Sequence, residues 1–313
     1  MTGPILVTGA SGFAGSHLVE LLAAGHRVVA WSHASAAPDA IAGLARWEAV
    51  DLLDRDQVTA AVRGAQPSAI VHLAGAPHVG ESWENTALPL AVNVLGTHRL
   101  LGAVREAGHP CRIVVAGSAH VYAPSQDPID ENHEIAPASP YALSKLAQEQ
   151  LALRAAGEDG LEVIVTRSFN HTGPRQKPSF VAPSMARQIA QIERGESEAV
   201  IRVGNLDAQR DLLDVRDTVR AYAALLTAGT PGAVYNIASG VATPIRDVLA
   251  ALISRARVPI RIESDPARLR PNDIPVLVGD ASRLRAATGW KPTIPFDRMI
   301  DDLLAYWRRA VSH

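Results

Sequence analysis

Short apolar runs that stop at glycine or a polar residue alternate along the chain with stretches of helical spacing. Residues 4–8 form a β-branched run ending at Gly9, and Leu18, Leu21 and Leu22 then recur on one face of a helix over 16–24. Further strands are predicted at 27–31, 69–74, 112–116 and 161–166, with another that ends at 48–51 and helices over 56–62, 90–107 and 141–156 between them. Strands that alternate with helices through short loops build a parallel sheet covered on both faces, so the expected fold class is α/β and doubly wound.

From Asn170 the pattern changes, with more Pro, Arg and Asn and shorter periodic pieces. Helices are predicted over 181–194, 217–226, 245–255, 281–288 and 297–309, with short strands at 199–203 and 234–238. The division expected is a first domain over 1–170 and a smaller, helix-rich substrate lobe over 171–313. Segments near 210–240 should pack back on the first domain. A chain of 313 residues suits one large core plus a smaller second one.

Charge removes some function classes. The formal net charge is −2 and the basic residues are scattered, so neither nucleic acid nor a membrane surface is expected as a partner. An anionic substrate would have to be held by a few placed arginines. Cys111, the single cysteine, opens an apolar run and reads as a small buried residue; no metal site is expected. No basic-then-apolar leader precedes Ile5, and no apolar stretch is seen approaching the ~20 residues of a membrane span. A soluble cytoplasmic protein is the expectation.

Thr8-Gly9-Ala10-Ser11-Gly12-Phe13-Ala14-Gly15 lies between the first strand and the first helix, with glycines at intervals of three. Gly9 suits the tight turn, Gly12 lets the backbone approach a pyrophosphate at a helix N-terminus, and Gly15 permits close helix–strand packing. In that context the stretch predicts a dinucleotide-binding (Rossmann) site contacted by Gly9, Ser11, Gly12, Phe13 and Gly15. An acidic residue ending the second strand would accept the ribose hydroxyls of NAD. Here that end reads Ala30-Trp31-Ser32-His33, and Ser32, His33 and Ser35 could donate to a 2′-phosphate, so NADP is preferred to NAD. Asp51 and Leu52 are placed at the adenine edge, and Leu73, Ala74 and Gly75 beside the ribose and pyrophosphate.

Tyr141 and Lys145 stand four apart on a predicted helix, hence on one face. Lowering a tyrosine pKa by ~3 units takes roughly 4 kcal/mol, more than one lysine readily supplies, so a second positive charge such as an oxidised nicotinamide would help. Ser118, after the fifth strand, lies at the carboxyl edge of the sheet, where ligands bind in this architecture. Its hydroxyl can hydrogen-bond a substrate carbonyl while Tyr141 moves the proton and Lys145 orients and tunes.

With these parts the chain resembles the extended short-chain dehydrogenase/reductase family of nucleotide-sugar epimerases, dehydratases and reductases over essentially its whole length. The resemblance implies Ser118, Tyr141 and Lys145 as the catalytic set and Asn93, grouped with the cofactor residues, as a support of the active site. Residues 167–176 and 203–211, with Arg270-Pro271-Asn272-Asp273-Ile274-Pro275 and Gly289-Trp290-Lys291-Pro292, are similar to segments of the GDP-sugar branch. They imply Asn170, Arg175, Val203, Gly204, Asn205, Arg210, Arg270 and Asp273 at the substrate, and His120, two positions after Ser118, is grouped with them. Arg210 and Arg270 could neutralise a diphosphate through charge-assisted hydrogen bonds.

Within that branch the dehydratases carry an acidic residue two positions after the catalytic hydroxyl, and here His120 stands there. Ala123 departs from the family in replacing a usual glycine. The pattern looks most like the 4-keto-6-deoxy-D-mannose reductases, which would make the substrate a GDP-linked deoxyhexose, the product GDP-D-rhamnose and the assembly a homodimer. A dehydratase or 4-epimerase, and a non-catalytic dinucleotide sensor, are the alternatives.

Overall fold

The computed structural model describes residues 3–33, 37–77, 79–268 and 274–312. In chain order its first half runs β1 (Ile5–Thr8), α1 (Phe13–Ala23), β2 (Val28–Ser32), β3 (Arg46–Ala49), α2 (Arg55–Ala65) and β4 (Ala69–His72). There follow two short helices, α3 (Glu81–Glu84) and α4 (Ala87–Pro89), a wider π-type turn over Leu90–Leu95, α5 (Gly96–Ala107), β5 (Arg112–Ser118), α6 (Pro140–Glu158) and β6 (Glu162–Ser168). The second half contains β7 (Asn170–Thr172), α7 (Val181–Glu193), β8 (Val200–Val203), β9 (Gln209–Asp214), α8 (Val215–Ala228), β10 (Val234–Ile237) and β11 (Ala242–Pro244). It closes with α9 (Ile245–Ile253), β12 (Arg261–Ser264), β13 (Val276–Leu277), α10 (Ser282–Thr288) and α11 (Phe296–Ala310).

Seven strands form one parallel sheet in the order β10-β6-β5-β4-β1-β2-β3. Its side chains alternate between two cores, as a period of two requires. Ile5, Val7, Ala69, Val71 and Val114 face α1 and α8. Leu6, Ile70, Ile113 and Val115 face α2, α5 and α6. The chain winds outward from β1 in both directions, so the strand order reverses between β1 and β4 and opens a crevice at their carboxyl ends.

α8 and β10 belong to this first layer, although they come late in the chain. A separate core of Met185, Ile189, Ile201, Val248, Leu252, Ile300 and Leu303 joins α7, β8, α9 and α11. Strands β11-β9-β13, with β7 also on β9, tie the two regions together. Asp217 of α8 clamps the 289–294 segment: its buried carboxylate accepts from Thr293 N at 3.0 Å and Ile294 N at 2.9 Å, and its carbonyl from Trp290 Nε1 at 3.0 Å. The Gly289–Pro292 motif is thus held as scaffold.

The third strand, Arg46–Ala49, ends within the 48–51 stretch read as its end and pairs with β2 through partly exposed residues. One expectation needs correction. Ala87–Ala107 forms one helical stretch of 21 residues, long and apolar enough by length and composition to cross a membrane. Asn93, Thr97, His98 and Arg99 interrupt the apolar run in the sequence. In the fold 44% of its most apolar window is buried inside the protein.

Candidate active site

Gly9 sits at φ +64°, and a Cβ there would lie 2.7 Å from Ala74 N; a Cβ on Gly15 would lie 2.1 Å from Gly9 O. Only glycine lets β1, the turn and the 73–75 strand end approach so closely. Gly12 caps α1, whose first turn holds no acidic residue, so the positive helix end is unopposed. This cradle fits a dinucleotide pyrophosphate. Beyond it, Ser32 is buried at the end of β2, and His33 is exposed with Nδ1 3.8 Å from Asp51 Oδ1. Asp51 also accepts from Leu53 N at 2.8 Å, and Leu52 is buried against Gly96. Ser11 is exposed in the turn and Phe13 stacks on His171, the ring centroids 5.8 Å apart. Ser35 lies outside the described residues.

Ser139 caps α6 by accepting from Ala142 N at 3.1 Å, and Pro140 opens the helix, which sets Tyr141 in its first turn. Ser118 ends β5, with its hydroxyl close enough to the Tyr141 phenol to act against the rise in that phenol's pKa. His120 follows in a short 3₁₀ turn, donates its N–H to Ser118 Oγ at 3.2 Å and presents its ring edge-on to Tyr141, 6.1 Å between centroids. Lys145 Nζ donates to Ala116 O at 2.7 Å and to Gln148 Oε1 at 2.8 Å. The three catalytic candidates converge where the crevice meets the glycine turn.

The electrostatics differ from the expectation that Lys145 would pull Tyr141 down. Burial pushes the Tyr141 phenol above its ordinary value, opposed by the Ser118 hydrogen bond. Burial also pushes Lys145 down to about 8. Desolvation wins because both groups are almost wholly enclosed. Tyr141 is therefore a neutral phenol, the form able to donate a proton.

Asn93, expected beside the cofactor, is fully buried. Its Oδ1 accepts from Ala76 N at 2.8 Å and its Nδ2 donates to Ser144 Oγ at 2.9 Å, so it ties the strand-four loop to the Tyr141 turn instead of facing the crevice. The π-type turn, in which Gly96 N reaches Ala91 O five residues back, carries Asn93 at this junction.

In the second half, Asn170 has a buried Oδ1 with no hydrogen-bond partner among the described residues, the mark of an acceptor left for a ligand. Arg175 stands at φ +73° and grips Glu20 of α1 through two bonds of 2.7 and 2.6 Å. That pairing fastens the 170s loop to the cofactor helix. The Val203 side chain lies in the second core and leaves only backbone to offer. Gly204 packs against the Arg268 carbonyl, and Asn205 is exposed, accepting from Asp207 N at 3.0 Å. Arg210 donates to the carbonyls of Gln209 at 2.9 Å and Ile274 at 2.7 Å. Arg270 and Asp273 lie outside the described residues.

A family model described as GDP-mannose 4,6 dehydratase matches residues 6–303. The chain belongs to the GDP-mannose 4,6-dehydratase family. It is 39% identical to GDP-6-deoxy-D-mannose reductase of Pseudomonas aeruginosa over 99% of each chain. It is 29% identical to a GDP-mannose 4,6-dehydratase of Sinorhizobium fredii over 77% of this chain and 74% of that protein. Among solved structures, RMD from Pseudomonas aeruginosa complexed with NADPH superposes with a TM-score of 0.87 at 37% identity, covering 99% of this chain and 100% of the other. A UDP-glucose 4-epimerase of Thermus thermophilus in complex with NAD gives 0.88 at 29%, over 98% and 99%.

Sequence reasoning missed the supports. Ser82 Oγ accepts from Tyr141 N at 3.2 Å across 59 residues. Buried Arg167 binds Glu149 of α6 at 2.6 and 2.9 Å and Tyr122 Oη at 2.9 Å. Burial opposes the Arg167 charge, but the hydrogen bonds and charge of Glu149 hold it above its ordinary value. Only a charged residue inside an apolar strand, Arg167 itself, could have signalled this pair.

Proposed function

We propose that this chain is an NADPH-dependent reductase that converts GDP-4-keto-6-deoxy-D-mannose to GDP-D-rhamnose. The observation carrying the reading is the convergence of Ser118, neutral Tyr141 and Lys145 beside the glycine turn. The 39% identity to a GDP-6-deoxy-D-mannose reductase over 99% of each chain, against weaker similarity of 25–29% to dehydratases, supports the branch. So does His120, which stands where an elimination would need a carboxylic acid.

Gly9, Gly12, Gly15 and the N-terminus of α1 would hold the pyrophosphate, Ser32, His33, Asp51 and Leu52 the adenosine end, and Lys145 the nicotinamide ribose. The bound reduced dinucleotide supplies the hydride. Ser118 donates a hydrogen bond to the 4-keto oxygen and polarises it. Tyr141 passes its phenolic proton to that oxygen as negative charge develops, and the Lys145 charge stabilises the phenolate left behind. Asn170 accepts from the substrate, with Arg210 and Arg270 meeting its diphosphate.

The test is incubation with GDP-4-keto-6-deoxymannose and either NADPH or NADH, following cofactor absorbance and identifying the product by NMR. Stoichiometric NADPH consumption with GDP-D-rhamnose is expected. Turnover of a nucleotide hexose without net reductant would instead mark a dehydratase or epimerase, and NADPH binding without turnover a sensor. We further infer a cytoplasmic homodimer joined through α5 and α6, supported by exposed Leu88, Leu90, Leu95 and Leu143 on and before these helices.

A further inference from the structure

Lys145 carries three N–H bonds, and one of them is given to buried Gln148. The Gln148 amide then donates to Thr97 Oγ1 at 2.8 Å. The Thr97 hydroxyl donates to the Asn93 carbonyl at 2.6 Å, so its oxygen can only accept from its other neighbours. One of those neighbours is His72 Nε2 at 2.8 Å, which must therefore carry the ring proton. Nδ1 of the same ring is left as an acceptor and takes the Thr8 hydroxyl proton at 2.7 Å. Thr8 Oγ1 in turn accepts from Ala74 N at 3.2 Å. Every direction in this chain is set by its neighbour, and it joins the strand ends under the dinucleotide turn to the Lys145 ammonium.

We propose that Gln148, Thr97 and His72 are positioning residues that act through Lys145, holding its ammonium charged and aimed from the floor of the cofactor crevice. The proposal rests on the role given to Lys145 above. A lysine on a flexible four-carbon stem that has lost its water keeps its charge only through the acceptors the protein provides, here two carbonyl oxygens. Three buried polar side chains in series are a costly way to fill space that methionine or valine would fill, unless their directed bonds serve a neighbour. The titratable groups packed about Lys145 are Tyr141 on its own helix and His72 from β4. Burial, aided by the Lys145 charge, pushes His72 down to about 3, so its ring stays neutral. Ser118 of β5 reaches the same site through Tyr141, and Glu149 is committed to Arg167.

The chain contains three lysines, Lys145, Lys177 and Lys291, so lysine labelled at Cε and Nζ gives few resonances. NMR titration of the ligand-free protein, with Lys145 assigned through K145R, should place Lys145 near the value burial sets. In Q148M it should fall by about half a unit or more, in T97V it should move the same way, and in Q148E it should rise. The alkaline limb of the NADPH oxidation rate should shift in the same order, with kcat in Q148M lowered about tenfold. A purely structural role would reduce the yield of folded protein and leave both titrations in place. Unmoved Lys145 titration in Q148M and T97V overturns the proposal. So does a His72 ring protonated at Nδ1 in the ¹⁵N spectrum of the unaltered protein, which decides the matter even if both variants fail to fold. Failure of the unaltered protein to oxidise NADPH with the keto sugar counts against the function proposed above, and the NMR arm stands apart from it.

Discussion

Burial draws Lys145 down to about 8, well below an exposed lysine. Its charge is therefore lost progressively as pH rises through that value. The rate of keto-sugar reduction should fall as pH rises through about 8, and a pH–rate profile flat to pH ~10 would contradict the assignment. Tyr141 is raised by burial, so it stays protonated over that range and the decline belongs to Lys145. Y141F should lower kcat by about 10² to 10⁴ with NADPH affinity nearly unchanged, read by steady-state kinetics beside fluorescence titration of the cofactor. Equal losses of binding and turnover would remove Tyr141 from the acid role.

Among elements, α6 positions the chemistry by being tied at its start and at its middle. Its start is held by Ser82 and the Ser139 cap, and its middle by Glu149 on Arg167 of β6. E149Q removes the countercharge of a buried guanidinium and should cost about 3–5 kcal/mol in denaturant unfolding. The double change E149M with R167M should cost less, because no charge is left stranded. At the other wall of the site, G15A must displace the Gly9 carbonyl. Dinucleotide binding should weaken at least tenfold by fluorescence titration, while the fold survives by circular dichroism.

For the whole molecule, the apolar side chains exposed beside α5 and on α6 lie on the face assigned to a second copy. Sedimentation velocity should give a dimer for the unaltered protein and a monomer for a variant with L95E and L143E, with the active site chemistry retained on its own sheet edge. A monomeric unaltered protein would refute this assembly.

The alternation of apolar runs and helical stretches made the seven-stranded layer legible, since buried parallel strands and amphipathic helices have distinct periods. The glycine turn, Ser118, Tyr141 and Lys145 were legible for a related reason: each is a local pattern whose place after a strand or at a helix start decides its use. The short strands β7, β9 and β11 to β13 were not, because pairing with distant strands and not periodicity creates them. The partner of Arg175, Glu20, and the core that takes the Val203 side chain were not legible because they are built from distant parts of the chain. Direction of hydrogen bonding and the state of charge came from tertiary structure alone. Position in the chain says that Tyr141 and Lys145 share a helix face, but burial in the folded protein is what keeps the phenol neutral and draws the ammonium down to about 8.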